Sequence, residues 1–113
     1  MVDSQTGLQL RQRGLGIDVG GLVVQLLGVG ILSSSTIGLI AFIPLAFGVA
    51  AVVSSYTKVK DTTGTADMAG AATAFLGFIA AIDTGDYFAF VMIGIGAAIV
   101  YFGNKQLAAG IRS

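Results

Sequence analysis

The stretch Asp18–Gly28, DVGGLVVQLLG, is echoed 49 positions later by Asp67–Gly77, DMAGAATAFLG. Both stretches open on an acid, carry glycine at their fourth position and close on Leu-Gly. The sequences that follow these two stretches also correspond, at a spacing of 48 residues. Gly48 matches Gly96, Ala50 matches Ala98 and Val52 matches Val100. We interpret the two stretches as equivalent starts of a duplicated two-helix unit, which gives both copies the same orientation, unlike the inverted repeats of many transporters.

The composition of the chain is that of a protein surrounded by lipid or by neighbouring subunits. Of its 113 residues, 55% are hydrophobic and only 11% are charged, and the mean hydropathy is +0.89. A soluble domain typically has about a quarter of its residues charged. Six basic and six acidic residues give no net charge, so there is no overall electrostatic attraction to nucleic acid or to acidic substrates.

Two long apolar blocks, near 15–56 and 66–103, flank a polar interval at Thr57–Thr65. A bilayer core of about 30 Å needs only about 20 helical residues, so each block should fold back on itself. Polar turns at Ser33–Thr36 and Asp83–Asp86 mark where it does so. The sequence predicts an all-α, membrane-protein-like fold of four hydrophobic helices, near 17–33, 36–57, 66–82 and 86–107.

This pattern predicts a single domain over 1–113, built from two tandem helical hairpins. Its parts are an N-terminal segment at 1–16, a first helical hairpin at 17–57, a polar connector at 58–65, a second helical hairpin at 66–107 and a C-terminal tail at 108–113. Pro44 has no N–H to donate inside the second helix, so a kink is expected near Ile40 to Pro44.

The residues of the opening stretches suggest roles in helix capping and helix packing. We expect Asp18 and Asp67 to cap helices one and three, because a carboxylate accepts hydrogen bonds from the free N–H groups of a first turn. Small residues at four-residue spacing allow two backbones to approach closely. The predicted packing positions, within the chain or between subunits, are Ala69, Gly70, Thr73, Gly77 and Ala81 in helix three, Ala46 and Ala50 in helix two, and Gly94 and Ala98 in helix four.

Basic residues occur only near the two termini and in the connector, which four helices bring to one side of a membrane. They are Arg11, Arg13, Lys58, Lys60, Lys105 and Arg112. The positive-inside rule then predicts both termini on the cytoplasmic or interior side. The same basic side is a candidate contact for nucleic acid or for anionic lipid headgroups.

The residues of catalytic chemistry are scarce. There is no His and no Cys, which excludes His-based triads, His or thiolate metal sites and disulfides. The serines at 33–35 have no evident activating base, and the Gly-x-Gly runs at Gly14 and Gly94 lack the strand context of a nucleotide-binding loop. We expect no enzymatic activity, no cofactor and no bound metal.

An integral membrane transporter or channel is the alternative function. Asp18 and Gln25 are the strongly polar residues of helix one, and an acid inside a membrane span is a functional candidate. In size and helix count the chain resembles the small multidrug-resistance transporters, whose first helix carries an essential acid; this makes Asp18 the candidate ion-coupling residue. The Gly-rich hairpins also resemble the rotor subunits of rotary ATPases, but the mid-helix acid of those subunits is replaced here by apolar residues and Pro44.

Short length, high hydrophobicity, helical hairpins and the lack of catalytic residues together resemble the small major capsid proteins of spindle-shaped archaeal viruses. The resemblance implies a structural subunit that self-assembles into a virion or membrane shell through small-residue helix faces. Its expected partners are copies of itself in a large homo-oligomer, lipid, and viral nucleic acid on the basic side. Its expected location is a membrane or a virion shell.

Overall fold

A computed structural model describes residues 2–112, with side chains described for 6–112. Its helices are α1 (Val2–Leu32), α2 (Thr36–Ile40), α3 (Phe42–Thr57), α4 (Thr63–Thr84) and α5 (Tyr87–Arg112). The described part of the chain contains no strand. The all-α class is therefore confirmed, with α2 and α3 forming one interrupted span.

The interruption between α2 and α3 falls at Ala41, in the interval where Pro44 predicts a kink. Pro44 has no N–H, so the carbonyl of Ile40 loses the donor that a continuous helix would place four residues later. The next hydrogen bond, from the Leu45 N–H to the Ala41 carbonyl, is stretched to 3.4 Å. The missing donor thus accounts for a local break in a span that otherwise continues.

The spans run up, down, up and down in an elongated bundle of 53 × 19 × 15 Å. The first and last spans, α1 and α5, pack mainly against each other, and α4 packs against both α3 and α5. Thr36–Thr57 and Thr63–Thr84 contain 22 residues each, or about 33 Å of helix. All four spans, including Thr6–Leu32 and Tyr87–Arg112, are long and apolar enough to cross a membrane.

Three helix boundaries differ from the sequence prediction. The first helix begins at Val2 rather than near 17, α4 begins at Thr63 rather than 66, and α5 continues to Arg112 rather than ending near 107. The segments at 1–16 and 108–113 are therefore helical wherever the structure describes them. They stay helical because they pack on each other: a Cβ added at Gly110 would lie 2.6 Å from the Gly7 carbonyl oxygen.

The contact between α1 and α5 is the most extensive in the bundle, and it is lined by glycines at seven-residue intervals. On α1 these are Gly7, Gly14, Gly21 and Gly28, and on α5 they are Gly96, Gly103 and Gly110. We call this contact the glycine seam. A seven-residue repeat keeps one face of a helix turned to its partner along its whole length.

The larger residues of the glycine seam fit against the glycines of the opposite helix. Leu107, Val100 and Ile93 of α5 lie against Gly14, Gly21 and Gly28. In return, Arg11, Asp18 and Gln25 of α1 lie against Gly110, Gly103 and Gly96. This reciprocal pattern brings the two backbones together while leaving room for polar side chains inside the bundle.

Both hairpin turns lie at the end of the bundle opposite the termini. The Ser35 side chain caps α2 by accepting a hydrogen bond from the Gly38 N–H at 3.0 Å. At the other turn Gly85 has a φ of +79°, a left-handed conformation that favours glycine after a helix. The Asp86 carboxylate then accepts from the Ala89 N–H at 3.2 Å. The predicted turns at 33–36 and 83–86 are thus where the chain reverses.

Candidate functional site

Asp18 is the one fully buried acid among the described side chains, with 0% of its surface exposed. It lies in the glycine seam, where its Oδ1 atom occupies space that a side chain at position 103 would fill. Neither carboxylate oxygen has a hydrogen-bond partner among the described residues. Burying a carboxylate without donors or a counter-charge is costly, and such an acid inside a membrane span is a candidate functional group.

A second acid, Asp67 on α4, lies close enough to Asp18 for the two charges to repel. Asn104, which follows Gly103 on α5, donates from Nδ2 to the Asp67 Oδ1 atom at 2.6 Å. The same nitrogen contacts the Thr63 carbonyl oxygen at 3.4 Å. Asn104 is 2% exposed, and its Oδ1 atom is buried without a partner. Three helices therefore bring two carboxylates and a buried amide together.

A cavity of about 460 Å³ reaches this group from the end of the bundle that carries the termini. Asp67 and Asn104 form part of its wall, and Asp18 lies beyond them in the glycine seam. The cavity is lined by Thr63, Asp67, Tyr101, Asn104, Lys105, Ala108 and Arg112. A small polar species could thus reach Asp67 and Asn104, which stand next to the buried Asp18 site, without crossing the apolar exterior.

The connector before α4 is tied to the bundle by polar contacts. The hydroxyl groups of Ser55 and Thr62 are 2.6 Å apart, and the Thr62 N–H donates to the Ser55 Oγ atom at 3.1 Å. Asp61 accepts from the Thr63 hydroxyl at 2.5 Å and from its N–H at 3.2 Å. The hydrogen bond from the Thr63 hydroxyl lowers the pKa of the Asp61 carboxyl below its usual value, although partial desolvation acts in the opposite direction. The Arg112 guanidinium, 3.7 Å from Asp61 Oδ2, also lowers this pKa.

The capping roles predicted for Asp18 and Asp67 are wrong. Asp18 is the seventeenth residue of α1, and Asp67 is the fifth residue of α4. At these positions the backbone N–H groups already belong to the helix ladder, so a carboxylate has no free donors to cap. Asp61 instead meets the first N–H of α4. The repeated acids lie inside the bundle, on two helices that run in the same direction.

The small residues predicted for helix packing divide into two groups. The five on α4 are all buried: Ala69, Gly70, Thr73, Gly77 and Ala81. Gly70 faces Ala97 of α5, and Gly77 faces Ile93. In contrast, Ala46, Ala50 and Ala98 are exposed, and a Cβ at the half-buried Gly94 would meet nothing within 4 Å. These four make no close packing contact within the subunit, because they lie on the outer faces of α3 and α5.

The six basic residues lie at one end of the bundle as a consequence of its up-down topology. Arg11 packs over the Tyr56 ring at 5.8 Å and Lys105 over the Tyr101 ring at 4.8 Å. Arg112 pairs with Asp61, as described above. Arg13, Lys58 and Lys60 are exposed. The opposite end carries the exposed acid Asp83.

The sequence prediction missed the glycine seam and Asn104. The signal for the seam was present: Gly7, Gly14, Gly21 and Gly28 keep a strict seven-residue interval, and Asp18 and Gln25 are also seven apart. A heptad interval predicts a continuous helix contact, which would have placed Asp18 inside a long helix. Asn104 has no comparable signal, because its role depends on which helix lies beside α5.

No protein-family model, curated protein or solved structure matches this chain.

Proposed function

We propose that this chain is a structural membrane protein that assembles laterally with copies of itself, as the subunit of a virion or membrane shell. The observation that carries the proposal is the apolar outer surface, which extends over all four spans. Large side chains point outward from every span, including Phe47 (64% exposed), Phe75 (64%) and Phe88 (71%). Apolar surface on this scale marks contact with lipid or with other protein chains.

Outward pairs of small residues give such an assembly its closest contacts. Gly16 and Gly20 on α1, and Ala46 and Ala50 on α3, are exposed and spaced by four residues. In a bilayer, apolar surface alone does not drive helices together, because lipid tails are equally apolar. Close approach at small residues gains van der Waals contact instead. These pairs support contacts between subunits, because the subunit itself leaves them uncovered.

The distribution of charge supports one orientation within the shell. The basic end would face the interior, where Arg13, Lys58 and Lys60 are free to meet lipid phosphates or a packaged genome. Several copies side by side would multiply a weak basic patch, and the resulting attraction would fall steeply with added salt. The Asp83 end would face outward.

The test is electron cryo-microscopy of the full-length protein reconstituted into lipid. We expect a repetitive lattice for the wild type and its loss in Ala50→Leu, because the larger side chain keeps the neighbouring backbone away. Ala72→Leu makes the same change at an exposed position of α4 and serves as the control. Dispersed single subunits of the wild type in lipid would refute assembly, and an intact lattice in Ala50→Leu would refute this contact.

Ion-coupled transport is a second candidate, favoured by the position of Asp18. The acid lies within the Thr6–Leu32 span, where a buried carboxylate is a candidate for ion coupling. The test is uptake into vesicles driven by a proton or sodium gradient, with Asp18→Asn as the variant. Equal uptake by the wild type and Asp18→Asn would exclude this role.

A further inference from the structure

We propose that Asp18, Asp67 and Asn104 bind a hard metal cation inside the bundle through their oxygen atoms. The proposal goes beyond assembly, and it deepens the second candidate by naming the ligands and the ligand class of the Asp18 site. Such cations, including Na⁺ and Ca²⁺, are held by carboxylate and amide oxygens. Two carboxylates and an amide supply these donors from three different helices.

The hydrogen bonds of Asn104 fix which of its atoms is available to a cation. Its Nδ2 atom donates to Asp67 at 2.6 Å, so the amide plane is anchored and Oδ1 must point elsewhere. That oxygen is buried and has no donor among the described residues, and the same holds for both oxygens of Asp18. Three buried acceptor atoms therefore belong to Asp18 and to Asn104, the residue that follows Gly103, against which Asp18 lies.

A cation satisfies this arrangement better than a hydrogen bond from the surrounding protein could. The two basic side chains of the cavity are engaged elsewhere, since Arg112 pairs with Asp61 and Lys105 stacks on Tyr101. A single proton on Asp18 could serve one further acceptor and would leave the third without a donor. A metal ion accepts several oxygen ligands at once and also offsets the repulsion between Asp18 and Asp67.

The surroundings argue for a hard cation in particular. The sequence has no His and no Cys, so the soft and borderline metals that prefer nitrogen or sulfur have no ligand set here. The cavity of about 460 Å³ gives access from the basic end. Its size leaves room for water molecules, which complete the coordination of hard ions in many proteins.

The experiment is thermal unfolding of the full-length protein in detergent micelles at constant pH and ionic strength. Choline chloride is replaced stepwise by NaCl or KCl, and in separate series CaCl₂ or MgCl₂ is added. One of these ions is expected to raise the Tm in a saturable way, by about 5 °C at ten times its half-saturating concentration. Asp18→Asn should lose that shift, whereas Asp83→Asn, which alters an exposed acid at the far end, should keep it.

Equilibrium dialysis of the wild type with ²²Na⁺ and ⁴⁵Ca²⁺ measures binding directly, so its result does not depend on whether the variant folds. Close to one ion per chain supports the site. A Tm that responds to pH but to none of the four ions would assign the charge balance to a proton and overturn the proposal. So would an unchanged ion response in Asp18→Asn. Because binding is measured in detergent without a gradient, failure here is distinct from failure of transport or of assembly.

Discussion

Adding one methyl group at Gly21 should separate α1 from α5, whereas the same change at the adjacent Gly20 should not. A Cβ at Gly21 would lie 2.7 Å from the Gly96 carbonyl oxygen and 2.9 Å from the Val100 amide nitrogen. Ordinary contacts begin near 3.4 Å, and backbone atoms cannot rotate away as the end of a side chain can. The helices must therefore move apart, which weakens the packing of the seam around the substituted position.

We expect Gly21→Ala to lower the free energy of unfolding by about 1–3 kcal/mol, the usual cost of overpacking a well-filled core. At Gly20 a Cβ meets nothing within 4 Å, so only helix propensity acts there. Gly20→Ala should raise stability by up to about 1 kcal/mol. The two variants have the same composition and differ only in the face of α1 that carries the methyl group.

The assay is unfolding in mixed micelles, followed by far-UV circular dichroism as the fraction of denaturing detergent rises. The two variants should therefore differ by about 1–4 kcal/mol in the free energy of unfolding, and Gly21→Ala should have the lower Tm. Equal effects of the two substitutions, or a larger loss at Gly20, would show that α1 and α5 do not meet along the glycine seam.

Two further predictions concern the connector. Ser55→Ala removes the acceptor of the Thr62 N–H and should lower the free energy of unfolding by about 1–3 kcal/mol; Thr57→Ala, which removes an exposed hydroxyl that bonds within its own helix, should have a smaller effect in the same unfolding assay. The pKa of Asp61 is lower in the folded protein than its ordinary value of 3.8. The ionised carboxylate therefore contributes to stability above pH 3.8, and this contribution is lost as the pH falls from 3.8 through the lowered pKa. The Tm difference between the wild type and Asp61→Asn should therefore narrow below about pH 4, and a difference that stayed constant during acid titration would contradict this role.

The sequence was sufficient to predict the number of spans, their alternating up-and-down order within the bundle, and both turns. These features depend on hydropathy and on local turn residues. It was insufficient for the ends of the helices. The N-terminal segment is too polar for hydropathy to predict a helix there. Residues 2–16 are nevertheless helical, because Gly7 and Gly14 pack on α5. Asp18 was misplaced for the same reason, since an acid before an apolar run indicates a cap only if the helix begins there.

The candidate site was harder to predict than the fold because its parts come from three helices. Asp18 and Asp67 are identifiable in the sequence as a repeated pair, but their proximity depends on how α1, α4 and α5 are arranged. Asn104 joins the pair only because Gly103 lets α1 approach closely enough to bury Asp18 beside it. The local sequence pattern thus identified two of the three residues, but the capping role that it predicted for both is wrong. The alternative role of Asp18 in ion coupling stays a prediction.

Glycine has two separable roles in this chain, and they depend on the direction in which each residue faces. Inward glycines such as Gly21 and Gly103 have backbone or buried polar atoms within 3 Å of the position that a Cβ would take. Outward ones such as Gly16 and Gly20 have nothing within 4 Å in the isolated subunit. Substitution of the inward set should therefore destabilise the subunit whether or not it is assembled. Substitution of the outward set should leave the subunit folded and weaken only its contacts with neighbours. A loss of the lattice in lipid without a loss of stability in micelles should therefore identify an outward glycine.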